Sequence, residues 1–154
     1  MGNQGVQTQP YVDLHFRLYK GSGTINTVTA DVGMWNSFDS HHPGTGTTRD
    51  WFESDFVAGL TATMDKLSIG SYFKVYQSPA DIFDSAYVMG FRLGYDDKDL
   101  LGQFALHPYA KVELNFIESS GNGSGNGQYY EIGITPGHTF HNVALTLPIR
   151  RSEE

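Results

Sequence analysis

The sequence predicts an all-β fold: an eight-stranded antiparallel up-and-down meander closed into a β-barrel. Three observations carry that expectation. Apolar and polar residues alternate with a period of two over long stretches, and no sustained 3.6-residue apolar pattern occurs. Short and long connections alternate between those stretches, as in a meander with tight turns at one end and loops at the other. Long meandering strands without helices are expected to close on themselves, because closure removes exposed edges. A two-sheet sandwich is the competing layout.

The first strand, 11–20, reads "YVDLHFRLYK", with Val12, Leu14, Phe16 and Leu18 on one parity and Tyr11, Asp13, His15, Arg17 and Tyr19 on the other. After "GSGT", the second strand (25–37) places Val28, Ala30, Val32 and Met34 on its apolar side. Residues 39–50 form a long connection, and the third strand (51–64) carries Phe52, Phe56, Ala58, Leu60 and Met64. The dipeptide Asp65-Lys66 turns into the fourth strand (67–77), with Leu67, Ile69, Phe73 and Val75. Beyond the 78–85 loop, the fifth strand (86–95) carries Tyr87, Met89, Phe91, Leu93 and Tyr95 on its apolar side. "DDKDLLGQ" leads to the sixth strand (105–117), with Leu106, Ala110, Val112, Leu114 and Phe116. The glycine- and asparagine-rich run 119–127 reads as a hairpin tip before the seventh strand (128–136), with Tyr130, Ile132 and Ile134. "GHTFH" precedes the eighth (142–150), with Val143, Leu145, Leu147 and Ile149. One domain, 1–154, is expected, with 1–9 and 151–154 as tails.

The polar parity carries Asp13, His15, Arg17, Asp31, Glu53, Asp55, Lys74, Arg92, Lys111, Glu113 and Glu131, together with Trp35, Trp51 and several tyrosines. Gly33, Gly59, Gly70, Gly90, Gly94 and Gly133 fall on this same parity and none on the apolar one. Glycine on a solvated face only weakens a strand. Inside a narrow barrel, by contrast, large side chains need small neighbours. The polar parity is therefore expected to line the interior, its acids and bases nearly balanced in an internal network.

Composition narrows the function classes. A formal charge of −7 without a basic run argues against a nucleic-acid partner. The absence of cysteine excludes disulfides, thiolate metal sites and thiol nucleophiles. No segment is long and apolar enough for a transmembrane helix, and no leader-like apolar run follows a charged start.

The runs "YVDLHFRLYKGSGTINTVTADVGMWNS" (11–37), "WFESDFVAGLT" (51–61), "YQSPADIF" (76–83) and "LGYDDKDLLGQFALHPYAKVELNF" (93–116) resemble a largely uncharacterised group of porin-like β-barrels from the outer membrane of Gram-negative bacteria. The resemblance covers roughly 9–149 and rests on strands and turns rather than a catalytic signature. It implies an outer-membrane barrel with an oily exterior and a polar lumen, whose partners are the lipid bilayer or detergent, a small solute and, as one option, further copies.

Other chemistry is weighed against simpler roles. His41 and His42, beside Asp39 and Ser40, and His138 with His141 have no accompanying ligand set of a known metal site. The aspartates of "YDDKDLLG" lack the spacing and later glutamate of a calcium loop and read as a solvated turn. Glu53 and Asp55 share a face, where pairing with Arg17, Arg92, Lys74 or Lys111 is expected rather than acid–base catalysis. No enzyme activity, cofactor or metal is expected. The two competing functions are a porin-like membrane barrel and a soluble lipocalin-like barrel holding a small apolar ligand.

Overall fold

The computed structural model describes residues 6–40, 50–117, 127–140, 143–147 and 149–153. Its strands are β1 (Gln7–Thr8), β2 (Tyr11–Lys20), β3 (Thr27–Asp39), β4 (Trp51–Met64), β5 (Leu67–Gln77), β6 (Ala86–Tyr95), β7 (Tyr109–Ile117), β8 (Gly127–Ile134), β9 (Gly137–Phe140), β10 (Val143–Thr146) and β11 (Ile149–Glu153). Strands β2 to β8 form the antiparallel meander, each bonded to the next, with β11 beside β8 and the short β1 in line with β2 against β3. Gln7–Thr8 and Arg151–Glu153, expected in the tails, are thus strand residues.

The sheet does not close into a barrel: β2 pairs only with β3 and β1 lies on that same side, while β11 pairs only with β8 among the described residues. The cause lies in the predicted eighth strand, which is divided. Val143–Thr146 fold back on Gly137–Phe140 as a separate hairpin, and only Ile149–Glu153 joins β8. That five-residue strand sets Arg151 opposite Ile132, on the apolar parity, and offers β2 no matching apolar edge. Two further differences are local. Residues Lys98–Leu101 form a short helix (α1) and Gly102–Phe104 a 3-10 turn, so the strand expected from 105 begins at Tyr109. A bulge opposite Ser37 and Phe38 leaves Phe52 extra on β4, and Trp51 moves across to stack on Phe38, ring centroids 5.7 Å apart.

The register lines the side chains up in rows. One polar row runs His15, Asp31, Gly59, Tyr72, Gly90, Glu113 and Tyr129 from β2 to β8. The next runs Thr61, Gly70, Arg92, Lys111 and Glu131. Apolar rows alternate with these on the opposite face, from Phe56, Val75 and Tyr87 at one end to Met64, Leu67 and Tyr95 at the other. Eight residue steps of about 3.3 Å span about 27 Å along the strand.

The distribution of burial is inverted relative to a water-soluble sheet. Leu60, Phe91 and Ile132 on the apolar face are 52%, 46% and 65% exposed. Among the described residues the buried apolar ones are only Ala80, Val88 and Ala105, while Asn36, Ser37, Asp97 and Glu131 are buried. The sheet curls toward its polar side, since Asp31 of β3 and Lys111 of β7 line one cavity of about 360 Å³ together with Tyr72 and Lys74.

Candidate functional site

Two of the glycines on the polar parity, Gly90 and Gly133, lie under tyrosine rings. The Tyr72 side chain crosses the middle strand β6 over Gly90, where a Cβ would fall within the ring, and its hydroxyl donates to Glu113 of β7. Tyr109 lies likewise against Gly133 of β8, where a Cβ would sit 2.7 Å from the ring. A side chain reaching two strands across a sheet needs an empty position between them, and glycine supplies it.

These tyrosines frame a ladder of charges. Lys74 Nζ donates to Glu113 Oε1 at 3.1 Å, and Lys111 Nζ lies 3.6 Å from the same oxygen and 3.3 Å from Glu131 Oε2. The hydroxyls of Tyr109 and Tyr129 donate to the two Glu131 oxygens at 2.7 and 2.5 Å, and Arg150 of β11 approaches to 3.9 Å. Lys74, Arg92 and Lys111 sit over the rings of Tyr72, Tyr109 and Tyr129 at 5.0, 4.4 and 4.8 Å. Glu131 is thus satisfied on both oxygens, which is what permits a carboxylate to be almost wholly buried.

Of the residues predicted to line the interior, the structure brings Lys74, Lys111, Glu113 and Glu131 together and places Arg92 on the Tyr109 ring beside them. His15 and Asp31 form a separate pair, Nδ1 to Oδ1 2.5 Å, near the open edge. Asp13 and Arg17 lie on β2 on the same face without an ion pair to any described residue. Glu53 and Asp55 stand at the long-loop end, opposite Ser37 and Trp35, and are not within ion-pair distance of a described base. One Asp55 oxygen has no hydrogen-bond partner there. The tyrosines fall on the expected polar parity, but their hydrogen bonds to Glu113 and Glu131, and the approach of Arg150, are not readable from the residue pattern. His41, His42, His141 and residues 118–126 lie outside the described residues.

The connection after β6 is built rather than solvated. The Asp97 carboxylate accepts from the Leu106 N–H at 3.0 Å and the His107 N–H at 2.9 Å, which holds His107 at a positive φ of 46°. Burial pushes Asp97 up, but those backbone donors outweigh it and hold its carboxyl below the ordinary carboxylate range. His107 Nδ1 in turn lies 3.3 Å from Asp96. Asp96, Asp97 and His107 therefore share one small region, with Asp97 already engaged by backbone. This connection walls a cavity of about 800 Å³ at the short-turn end, into which Lys66, Arg92, Lys98 and Tyr109 also face.

No protein-family model, curated protein or solved structure matches the chain.

Proposed function

We propose that the chain forms the wall of an outer-membrane-type β-barrel whose polar face lines a lumen for small polar solutes, in a Gram-negative outer membrane. The observation that carries the reading is the inverted burial: large apolar side chains stand exposed on one face while Glu131, Asn36 and Ser37 are buried. Lipid would cover such a face, and an apolar band about 25 Å tall is what a membrane barrel presents. The span of about 27 Å along the strands shortens to about 20 Å at a 40° tilt, close to that requirement. A lumen crossed by Tyr72, Tyr109 and the lysine–glutamate ladder is filled in an eight-strand circumference. It suits a structural role or the passage of small solutes more than bulk diffusion. In a bilayer both open edges must also be paired, because unsatisfied backbone groups cost several kcal/mol each.

Two measurements test this together. The chain is expected to require detergent or lipid for dispersal, and a monodisperse monomer in plain buffer would sink the proposal. Lipid-attached quenchers are expected to quench Trp51, on the outer side with Phe38, and to spare Trp35, which shares the polar face with Asp55. Equal quenching of the two tryptophans counts against the assignment of faces.

A further inference from the structure

The open edge of the sheet carries a self-complementary message. From the geometry of β2 we infer that it pairs antiparallel with β2 of a second copy about a two-fold axis through His15. The inference stands on the edge itself and does not rest on the membrane reading.

The backbone phase of β2 is fixed by its pairing with β3. Asn36 N–H donates to the Pro10 carbonyl at 3.0 Å, and Tyr11 stands opposite Trp35. From Tyr11 to Arg17, even-numbered residues of β2 therefore turn their backbone groups to β3, and odd-numbered ones turn theirs to the open side. An antiparallel partner must then bond odd residues to odd residues. Among such registers, centring on His15 places Asp13 opposite Arg17 of the second copy and Arg17 opposite its Asp13. Leu14 then meets Phe16 of the second copy, and Phe16 its Leu14. A shift of one pair either way sets Arg17 against Tyr11 or His15 and loses both charge pairs. Asp13 and Arg17 have no ion-pair partner among the described residues of their own chain, so each has its charge to give. The apolar side of this edge is continuous with the sheet: Val12, Leu14 and Phe16 are each about half exposed beside Met34, Val32 and Ala30. No proline interrupts Tyr11–Lys20, and the bulge after Arg17 falls outside the five central pairs. An isologous contact of this kind, residue i on j and j on i, is the commonest way for two copies to meet. It joins two seven-strand meanders into one continuous sheet of fourteen long strands.

The test is a charge swap at full chain length, in detergent micelles and separately in plain buffer, with self-association followed by analytical ultracentrifugation. D13R and R17D each set like charges face to face twice and are expected to weaken the dimer by about tenfold or more. The double variant D13R/R17D is expected to restore it. A dimer indifferent to the single changes, a double variant that stays weak, or a chain monomeric throughout would overturn the inference. Should a single variant fail to fold, a cysteine scan of the otherwise cysteine-free chain decides the register. A short thiol-to-thiol crosslinker is expected to join H15C to itself across about 5.5 Å between Cα atoms. It is expected to leave D13C unjoined, since those positions lie about 13 Å apart along the strands. The reverse pattern refutes the two-fold axis at His15.

Discussion

Gly90→Ala is the sharpest perturbation of the polar face. An added Cβ would fall among the distal ring atoms of Tyr72, so the ring must leave its place. It has little room to do so: Lys74 sits 5.0 Å over it and its hydroxyl is bound by Glu113. Loss of a hydrogen bond to a charged group costs about 1.5–3 kcal/mol, and forcing a methyl into a packed site costs about 1–3 kcal/mol. Alanine returns about 0.5–1 kcal/mol through its lower backbone entropy when unfolded. The net expectation is a loss of about 3 kcal/mol, read from urea unfolding in micelles by tryptophan fluorescence. Two companions make the number specific. Gly127→Ala, whose Cβ would meet Asn115 at an ordinary 3.5 Å, is expected to be neutral. In a Tyr72→Ala background, Gly90→Ala is expected to cost nothing, so the double-mutant cycle should return a coupling near 3 kcal/mol. A loss under about 1 kcal/mol, or additivity in the cycle, would refute the claim that the glycine exists for the tyrosine.

Glu113→Gln removes the shared partner of Lys74 and Lys111 and is expected to cost about 3 kcal/mol by the same unfolding measurement. Adding Lys74→Met to that variant should recover part of the loss. Leu60→Arg places a charge mid-band on the exposed apolar face. It is expected to cost about 2–4 kcal/mol in lipid, and a change within about 0.5 kcal/mol there would match a water-facing surface instead. The depressed Asp97 carboxyl gives a pH signature. Its folded value lies below its unfolded one, so its stabilisation is present above the ordinary carboxylate value and is lost as pH falls through the folded value. Hydrogen-exchange protection of the Leu106 and His107 amides is expected to follow that loss, and Asp97→Ala should abolish it at every pH.

The period-two pattern located the meander because side-chain direction in a strand depends on parity alone. It therefore placed Lys74, Lys111, Glu113 and Glu131 on one face, and the glycine asymmetry told which face is crowded. Parity does not say which residues share a row. The meeting of Tyr72 with Glu113 across Gly90 depends on register through three strands, and Arg150 reaches Glu131 only because β11 joins β8. Trp51 was misplaced for a related reason: one bulged residue, Phe52, reverses every face beyond it. Asp97 looked solvated because its partners are backbone amides nine and ten residues away, invisible to any side-chain spacing.

Closure failed on the competition for the last strand. The alternation from Val143 to Ile149 reads as a continuation of the meander, yet Val143–Thr146 pair locally with Gly137–Phe140, a hairpin that costs little loop entropy. What remains beside β8 is too short to meet the ten-residue β2, which keeps the backbone groups of Tyr11, Asp13, His15 and Arg17 open. On the polar face, meanwhile, Lys74, Glu113, Lys111 and Glu131 neutralise one another. The open backbone groups of β2 thus lie at an edge whose two ionic side chains, Asp13 and Arg17, flank His15 symmetrically with opposite sign. An edge left open by chance has no reason to be its own complement, and the charge-swap pair asks directly whether this one is.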